Sequence, residues 1–244
     1  TRYTLARDFR SIDPKLTRII LVEAGQRILA SFDSGLSSLA TRDLESLGVQ
    51  VWTGSIVSDI NEENILVGKE RISTATVLWA AGTRASKIGE QMKVNLDSQG
   101  RIIVKSDLSL KGHPEVFVAG DQACAIGKNG QPLPSTAPVA MQQGRFIAKS
   151  ILADLSSKPR KAFSYLDKGQ MATIGRKKAI VEVGSLRFGG FIAWIAWLFI
   201  HIFYLSGFKN RILVLIQWGY SYFSFARGAR LIIERNWRSF GKDT

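Results

Sequence analysis

The chain of 244 residues contains one cysteine, Cys124, and two histidines, His113 and His201. A single thiol excludes an internal disulfide, a Cys-x-x-Cys redox pair and a cysteine-rich zinc site. Two isolated imidazoles, with no His-Glu-x-x-His string, exclude the usual zinc-hydrolase helix. No internal repeat or low-complexity tract is present. Apolar residues are 45% and charged residues 22%, a globular balance that excludes a disordered or fibrous chain. Acid is scarce in one region only. Residues 1–155 carry 18 basic and 16 acidic side chains, whereas residues 156–244 carry 15 and 4, so most of the net +13 sits in the last third. Four of the six tryptophans lie there too. A basic, aromatic-rich region suits a surface that meets phosphate, on lipid headgroups or on nucleic acid.

What is present reads as α/β over the first 155 residues. The run RIILVEAG at 18–25 fits a buried parallel strand closed by a tight turn. Leu36, Leu39, Leu44 and Leu47 stand near helical spacing, with Gly48 placed as a C-cap. Short strands are expected at 49–52 and 56–60, a hairpin at 65–72 turning on Gly68, and strands at 76–80, 101–105 and 115–119. A helix is expected over 137–155, with Pro134 and Pro138 at its entry. Residues 158–161 form the best linker candidate. A further hairpin is expected over 171–183.

Residues 188–208 contain no charged side chain. About 20 helical residues suffice to span a bilayer core. Over 212–233, Gln217, Ser221, Ser224, Arg227 and Arg230 make a polar stripe on an apolar helix, the pattern of a helix lying in a membrane interface. The aromatics here sit among aliphatics and do not alternate with Lys and Arg, so a membrane surface is favoured and no nucleic acid is expected as a partner.

Three places have the residue types for chemistry. Glu23 ends an apolar strand, where a Rossmann-type fold uses a carboxylate to hold the adenosine ribose hydroxyls of NAD. A solvated acid at a strand end is the plainer reading of Glu23 taken alone. The Gly-x-Gly-x-x-Gly turn that goes with it, about twenty residues earlier, is absent from the chain. The chain starts on Thr1, not Met, and reads as a piece of a longer protein. The string VFVAGD at 116–121 delivers Asp121 at a strand end, where a carboxylate can accept hydrogen bonds from a flavin ribityl chain while Gly120 lets the backbone approach. The string WAAGT at 79–83 is a second turn of small residues, where a flat ring can lie against the main chain, although tight turns favour the same residues for steric reasons.

In order, Glu23, WAAGT at 79–83, VFVAGD at 116–121, APVAMQQG at 137–144 and YLDKGQMATIGR at 165–176 resemble the type II NADH:quinone oxidoreductases, the single-subunit, non-pumping NADH dehydrogenases. The strings HIFYLSGFKNR at 201–211 and RGARL at 227–231 resemble that family's membrane-anchoring C-terminus. The resemblance implies parts of two Rossmann-like domains, for FAD and for NADH, followed by C-terminal membrane-anchoring helices. Residues 1–110 would be the back part of the NADH domain and 111–163 the returning part of the FAD domain. Residues 164–244 would hold a hairpin and the anchor. Glu23 would hold the NADH ribose, with Ala81 and Gly82 flanking the nicotinamide. Gly120 and Asp121 would hold the FAD ribityl chain, with Ala137, Val139 and Ala140 under the flavin ring.

The family's first quinone-contacting Gln is Pro138 here, with neither amide nor backbone N–H. Gln142 or Gln143 is its substitute, and Trp197 to His201 is the expected wall of the quinone site. For His201, a partly buried imidazole bonded to a neighbouring carbonyl is preferred to a proton donor. The implied reaction passes a hydride from NADH to FAD and two electrons to a membrane quinone, with no catalytic side chain and no metal. The expected location is the cytoplasmic face of a bacterial inner membrane, with homodimerisation left open. Two other readings are kept: a sulfide:quinone oxidoreductase-like enzyme, which would need a second cysteine, and a non-catalytic membrane-associated remnant.

Overall fold

The computed structural model describes residues 16–74, 76–204 and 207–224. The chain divides into two compact units, Thr1–Ala75 with Gly169–Thr244 and Thr76–Lys168.

In the first unit, β1 (Ile19–Val22) pairs in parallel with β2 (Val49–Trp52), with Ile19 opposite Val49 and Val22 opposite Trp52. The helix between them, α1 (Ser34–Ser46), starts on Asp33, whose carboxylate accepts the Gly35 N–H at 2.9 Å. It stops where Gly48, at φ +86°, donates to the Glu45 carbonyl. An antiparallel meander follows: β3 (Val57–Ile60), β4 (Asn64–Val67) and β5 (Glu70–Ser73), with Gly68 at φ +60° in the expected turn.

The rest of this unit is built on a three-stranded antiparallel sheet of β10 (Gln170–Gly175), β11 (Lys178–Val183) and β12 (Leu186–Gly190). The first two strands were legible in sequence; β12 was not, because Leu186, Arg187 and two glycines carry no strand signature. Alternation on β11 gives the sheet two faces. Ile180 packs with Ile28, Phe32, Leu36 and Ala40 on the α1 side. Ala179 and Val181 pack with Ala193, Trp194 and Trp197 of α4 (Phe191–Tyr204). Gly189 allows the close approach of α1, since a Cβ there would run into Leu39.

The apolar run 188–208 is not one helix. Its first residues complete β12, Gly190 turns at φ +79°, and α4 has 14 residues. At about 1.5 Å per residue that is roughly 21 Å, short of a bilayer core. Then α5 (Phe208–Ser224) follows Gly207 and stacks Trp218 on Trp197, centroids 5.9 Å apart. Among the described residues no helix is long and apolar enough to cross a membrane. Arg227 and Arg230 of the expected polar stripe, and RGARL at 227–231, lie outside the described residues.

The second unit has little regular sheet. Strands β6 (Ile102–Ile103) and β9 (Ala123–Cys124) pair in parallel, and β7 (Ser109–Leu110) with β8 (His113–Phe117) makes a hairpin. A one-turn helix, α2 (Ile88–Gln91), and a long one, α3 (Ala137–Leu155), complete it. The long helix has the expected bounds, with Pro138 in its first turn, where a missing N–H costs nothing. Ile102, Leu110, Val118 and Ala123 form the apolar core.

Two expectations fail in this unit. Residues 76–80 are not a buried strand: Leu78 is 88% and Trp79 66% exposed. A buried parallel strand needs partners on both edges, and among the described residues β1 and β2 pair only with each other. The strand expected at 115–119 does form, shifted to His113–Phe117 as the second arm of an antiparallel hairpin. Residues 158–161 are not a free linker, because Arg160 binds the Asp154 and Asp107 carboxylates and the Pro114 carbonyl, with its guanidinium 4.5 Å over the Phe117 ring.

Candidate functional site

The most tightly specified turn in the second unit is the single 3-10 turn Gly120–Gln122, which follows β8 and leads into β9. Gly120 has φ +66°, a conformation that strongly favours glycine, and a Cβ there would stand 3.4 Å from the Ala140 Cβ. The Gly120 N–H donates to the side-chain oxygen of Gln143 at 2.6 Å, and Gln143 is 1% exposed. On the other side of the turn, Gln122 accepts from the Ser86 N–H at 2.9 Å and donates to the Ser86 carbonyl at 3.2 Å. Asp121, between two tied neighbours, is exposed and makes no hydrogen bond or ion pair among the described residues. A carboxylate left unengaged on a backbone held from both sides is suited to accept hydroxyl donors from a ligand.

The first turns of α3 stand beside this site. Val139 is buried, Ala140 half-buried, and Ala137 and Pro138 are exposed. Gln142 is spent on the backbone: it donates to the Leu166 carbonyl at 2.9 Å and accepts the Leu166 N–H at 3.0 Å. Quinone contact by Gln142, or by the Gln143 oxygen, would therefore require one of these bonds to break. Ala81 and Gly82 lie in the same unit on exposed chain without regular structure, Gly82 at φ +100° with open space around it. The Gln122–Ser86 pair ties the segment that follows them to the Gly120–Gln122 turn.

Two other groups of predicted residues belong to the first unit. Glu23 continues the β1–β2 pairing, donating its N–H to the Trp52 carbonyl at 2.8 Å. One of its carboxylate oxygens accepts the Gly25 N–H at 2.7 Å, and the other has no partner among the described residues. On α4, His201 lies over Trp197, centroids 4.0 Å apart, with Nδ1 2.8 Å from the Trp197 carbonyl oxygen. A carbonyl only accepts, so Nδ1 carries the proton in that pair. This is the carbonyl-bonded imidazole preferred from the sequence, but the residue is exposed and not partly buried as expected, because it stands on an outward position of α4.

Cys124 is 4% exposed in β9. Burial, and then the neighbouring Asp97 carboxylate, pushes its thiol above the usual cysteine value. A thiol so placed is a poor nucleophile, which argues against the sulfide-oxidising alternative. Sequence reasoning missed Gln122 and Arg160. Their only signals were adjacency to Asp121 and position after a proline, and neither reveals a partner 36 or 46 residues away.

With this geometry in view, residues 4–144 match the pyridine nucleotide-disulphide oxidoreductase family. The chain belongs to that family, and its fold is the Rossmann-like one of those flavoproteins. Residues 168–227 match the NDH2 C-terminal domain. The type II NADH:quinone oxidoreductase Ndh of Mycobacterium tuberculosis is 38% identical over 245 residues, covering 96% of this chain and 52% of that protein. The Staphylococcus aureus type II NADH:quinone oxidoreductase is 34% identical over 169 residues, covering 67% of this chain and 42% of that protein. The chain thus spans about half the length of the curated relatives it matches. Among solved structures, NDH2 from Plasmodium falciparum in complex with NADH superposes with a TM-score of 0.81 at 14% identity, covering 93% of this chain and 62% of that one. At that identity the likeness speaks for fold alone.

Proposed function

We propose that this chain is part of a flavoprotein that oxidises NADH and reduces a membrane quinone without pumping protons. The observation that carries the reading is the succession of two family matches in one chain, an oxidoreductase region over 4–144 followed by an NDH2 C-terminal domain over 168–227. A bound FAD would supply the hydride-accepting and electron-donating chemistry. The residues present suit it: the Gly120–Gln122 turn offers an unengaged carboxylate on a fixed backbone, and Val139 and Ala140 give a small apolar floor.

The protein's own groups bind and orient. Asp121 would accept from the ribityl hydroxyls. Glu23 would accept from the NADH ribose hydroxyls with its unpartnered oxygen, and its charge would repel a 2′-phosphate, favouring NADH over NADPH. Ala81 and Gly82 would let the nicotinamide approach the main chain. Pro138 in the second unit, and Trp197 and His201 in the first, are each candidates for quinone contact, with Gln142 and Gln143 fixing the chain around Pro138. Residues 1–110 and 111–163 would be the later parts of the NADH and FAD domains, and 164–244 the anchor.

We assign α4 and α5 to the membrane interface of a bacterial inner membrane, on its cytoplasmic face, where anionic lipid attracts the basic tail. High salt then weakens attachment without abolishing it, because apolar burial is not screened. Complete release from vesicles by salt alone overturns the anchor. Sedimentation in detergent decides between monomer and homodimer. The enzyme reading is tested on the full-length gene product in mild detergent under anaerobic conditions. Flavin absorption near ~450 nm should bleach with NADH and return with quinone. A colourless protein, or one unresponsive to NADH, leaves the membrane-associated remnant.

A further inference from the structure

The structure assigns Gln143 as a positioning residue for the flavin, acting through the Gly120–Gln122 turn, and not as a quinone contact. The inference rests on the reading of that turn as FAD-binding. Gln143 is a buried amide on the second turn of α3, a long helix whose bounds are set by its own sequence. Its side-chain oxygen meets a backbone N–H 23 residues away at 2.6 Å. That N–H belongs to the one residue of the turn with positive φ. Without an acceptor a buried N–H is costly, and the turn would relax toward water or another partner. Relaxation would rotate the peptide between Ala119 and Gly120, whose N–H is the one held, and move the one carboxylate of the turn that is free to accept.

Packing acts in the same sense. Ala140, about one helical turn before Gln143, meets Gly120, where an added Cβ would stand 3.4 Å from the Ala140 Cβ. Gln122, bonded twice to Ser86, holds the other end of the turn. Gln143 is therefore the side of this clasp that comes from the helix.

The test uses the full-length protein, stripped of flavin and titrated with FAD by fluorescence quenching. Gln143→Met keeps the length and removes the amide, Gln143→Asn withdraws the amide by one methylene, and Gln143→Glu keeps an oxygen acceptor at the same reach. The Met and Asn variants should weaken FAD binding about tenfold, the size of one lost buried hydrogen bond. Gln143→Glu should return it to within about threefold. A merely structural role lowers the unfolding midpoint of the apoprotein in all three and leaves the FAD dissociation constant of the folded protein unchanged, which overturns the inference. If the Met variant does not fold, the Asn and Glu pair decides alone. Asp121→Ala separates the two levels. Unchanged FAD affinity in that variant removes the flavin reading of the turn and the inference with it. Weakened affinity there, with Gln143 variants at the parent value, removes the inference only.

Discussion

The two units hold themselves together by different means. In the first, β11 buries apolar side chains on both faces: Ile180 against α1, Ala179 and Val181 against α4. In the second, strands are two to five residues long and loops carry most of the chain. Order there comes from side chains that bind backbone: Gln143 on Gly120, Gln122 on Ser86, Gln142 on Leu166, and Arg101 on Leu133. Apolar packing is tolerant of direction and sets where elements lie. Hydrogen bonds are directional and set where a particular peptide points, which is what a turn that presents a carboxylate requires.

The contrast breaks most easily at Arg101. Its side chain is 8% exposed and pairs with Asp97 at 2.7 Å while donating to the Leu133 carbonyl at 2.9 Å. Arg101→Leu leaves the Asp97 carboxylate, 16% exposed, without its guanidinium and with only the Gln99 and Arg101 backbone N–H groups, and should cost about 3–5 kcal/mol. Urea unfolding, with hydrogen exchange to localise the loss to residues 76–168, measures it; a cost near zero would mean that packing, not polar bonding, holds this unit. Next is Ile180→Ala, which removes a fully buried side chain between α1 and β11. It should cost about 3 kcal/mol, with exchange rising in 169–190 and unchanged at the Gly120–Gln122 turn.

A smaller and gradual effect is expected in acid. Burial alone would raise the carboxyls of Asp97 and Asp107. Hydrogen bonds from Arg101 and the Gln99 N–H to the first, and from Ser109 and Arg160 to the second, outweigh it and hold both below the ordinary value of 3.8. Carboxyls lowered in the folded state favour folding in full above their ordinary value, and lose that contribution as pH falls through the lowered one. Stability should thus decline with a slope below about pH 4, and Arg101→Leu should flatten that slope. The smallest effect is at Cys124. Its raised thiol value and burial predict negligible alkylation of the native protein at pH 8 and normal labelling once unfolded. Rapid native labelling would mean that β9 opens more readily than the burial of Ala123, Cys124 and Ala125 implies.

Much of this was legible in the residues. The α3 bounds, the α1 helix with its Gly48 stop, the turn at Gly68 and the β10–β11 hairpin follow from local rules about periodicity, prolines and glycines. The motif strings led to the family. The polar clasps were not legible, because nothing near Gln143 or Gln122 in the chain marks the residue each one meets. The strand expected at 76–80 failed for a related reason: an apolar run shows that a segment favours burial, but partners must be supplied from elsewhere.

By itself the sequence determined the elements that short-range physics controls, the uneven charge, and the order of motif strings that identifies the family. The tertiary structure decided that an uncharged run of 21 residues is split between a strand and a 14-residue helix. It also decided that Gln142 and Gln143 bind backbone and that Asp121 alone in its turn is left open. Backbone conformation is set largely by neighbours within a few residues, so it can be read along the chain. Which peptide a buried amide satisfies depends on distances that exist only once the chain has closed on itself.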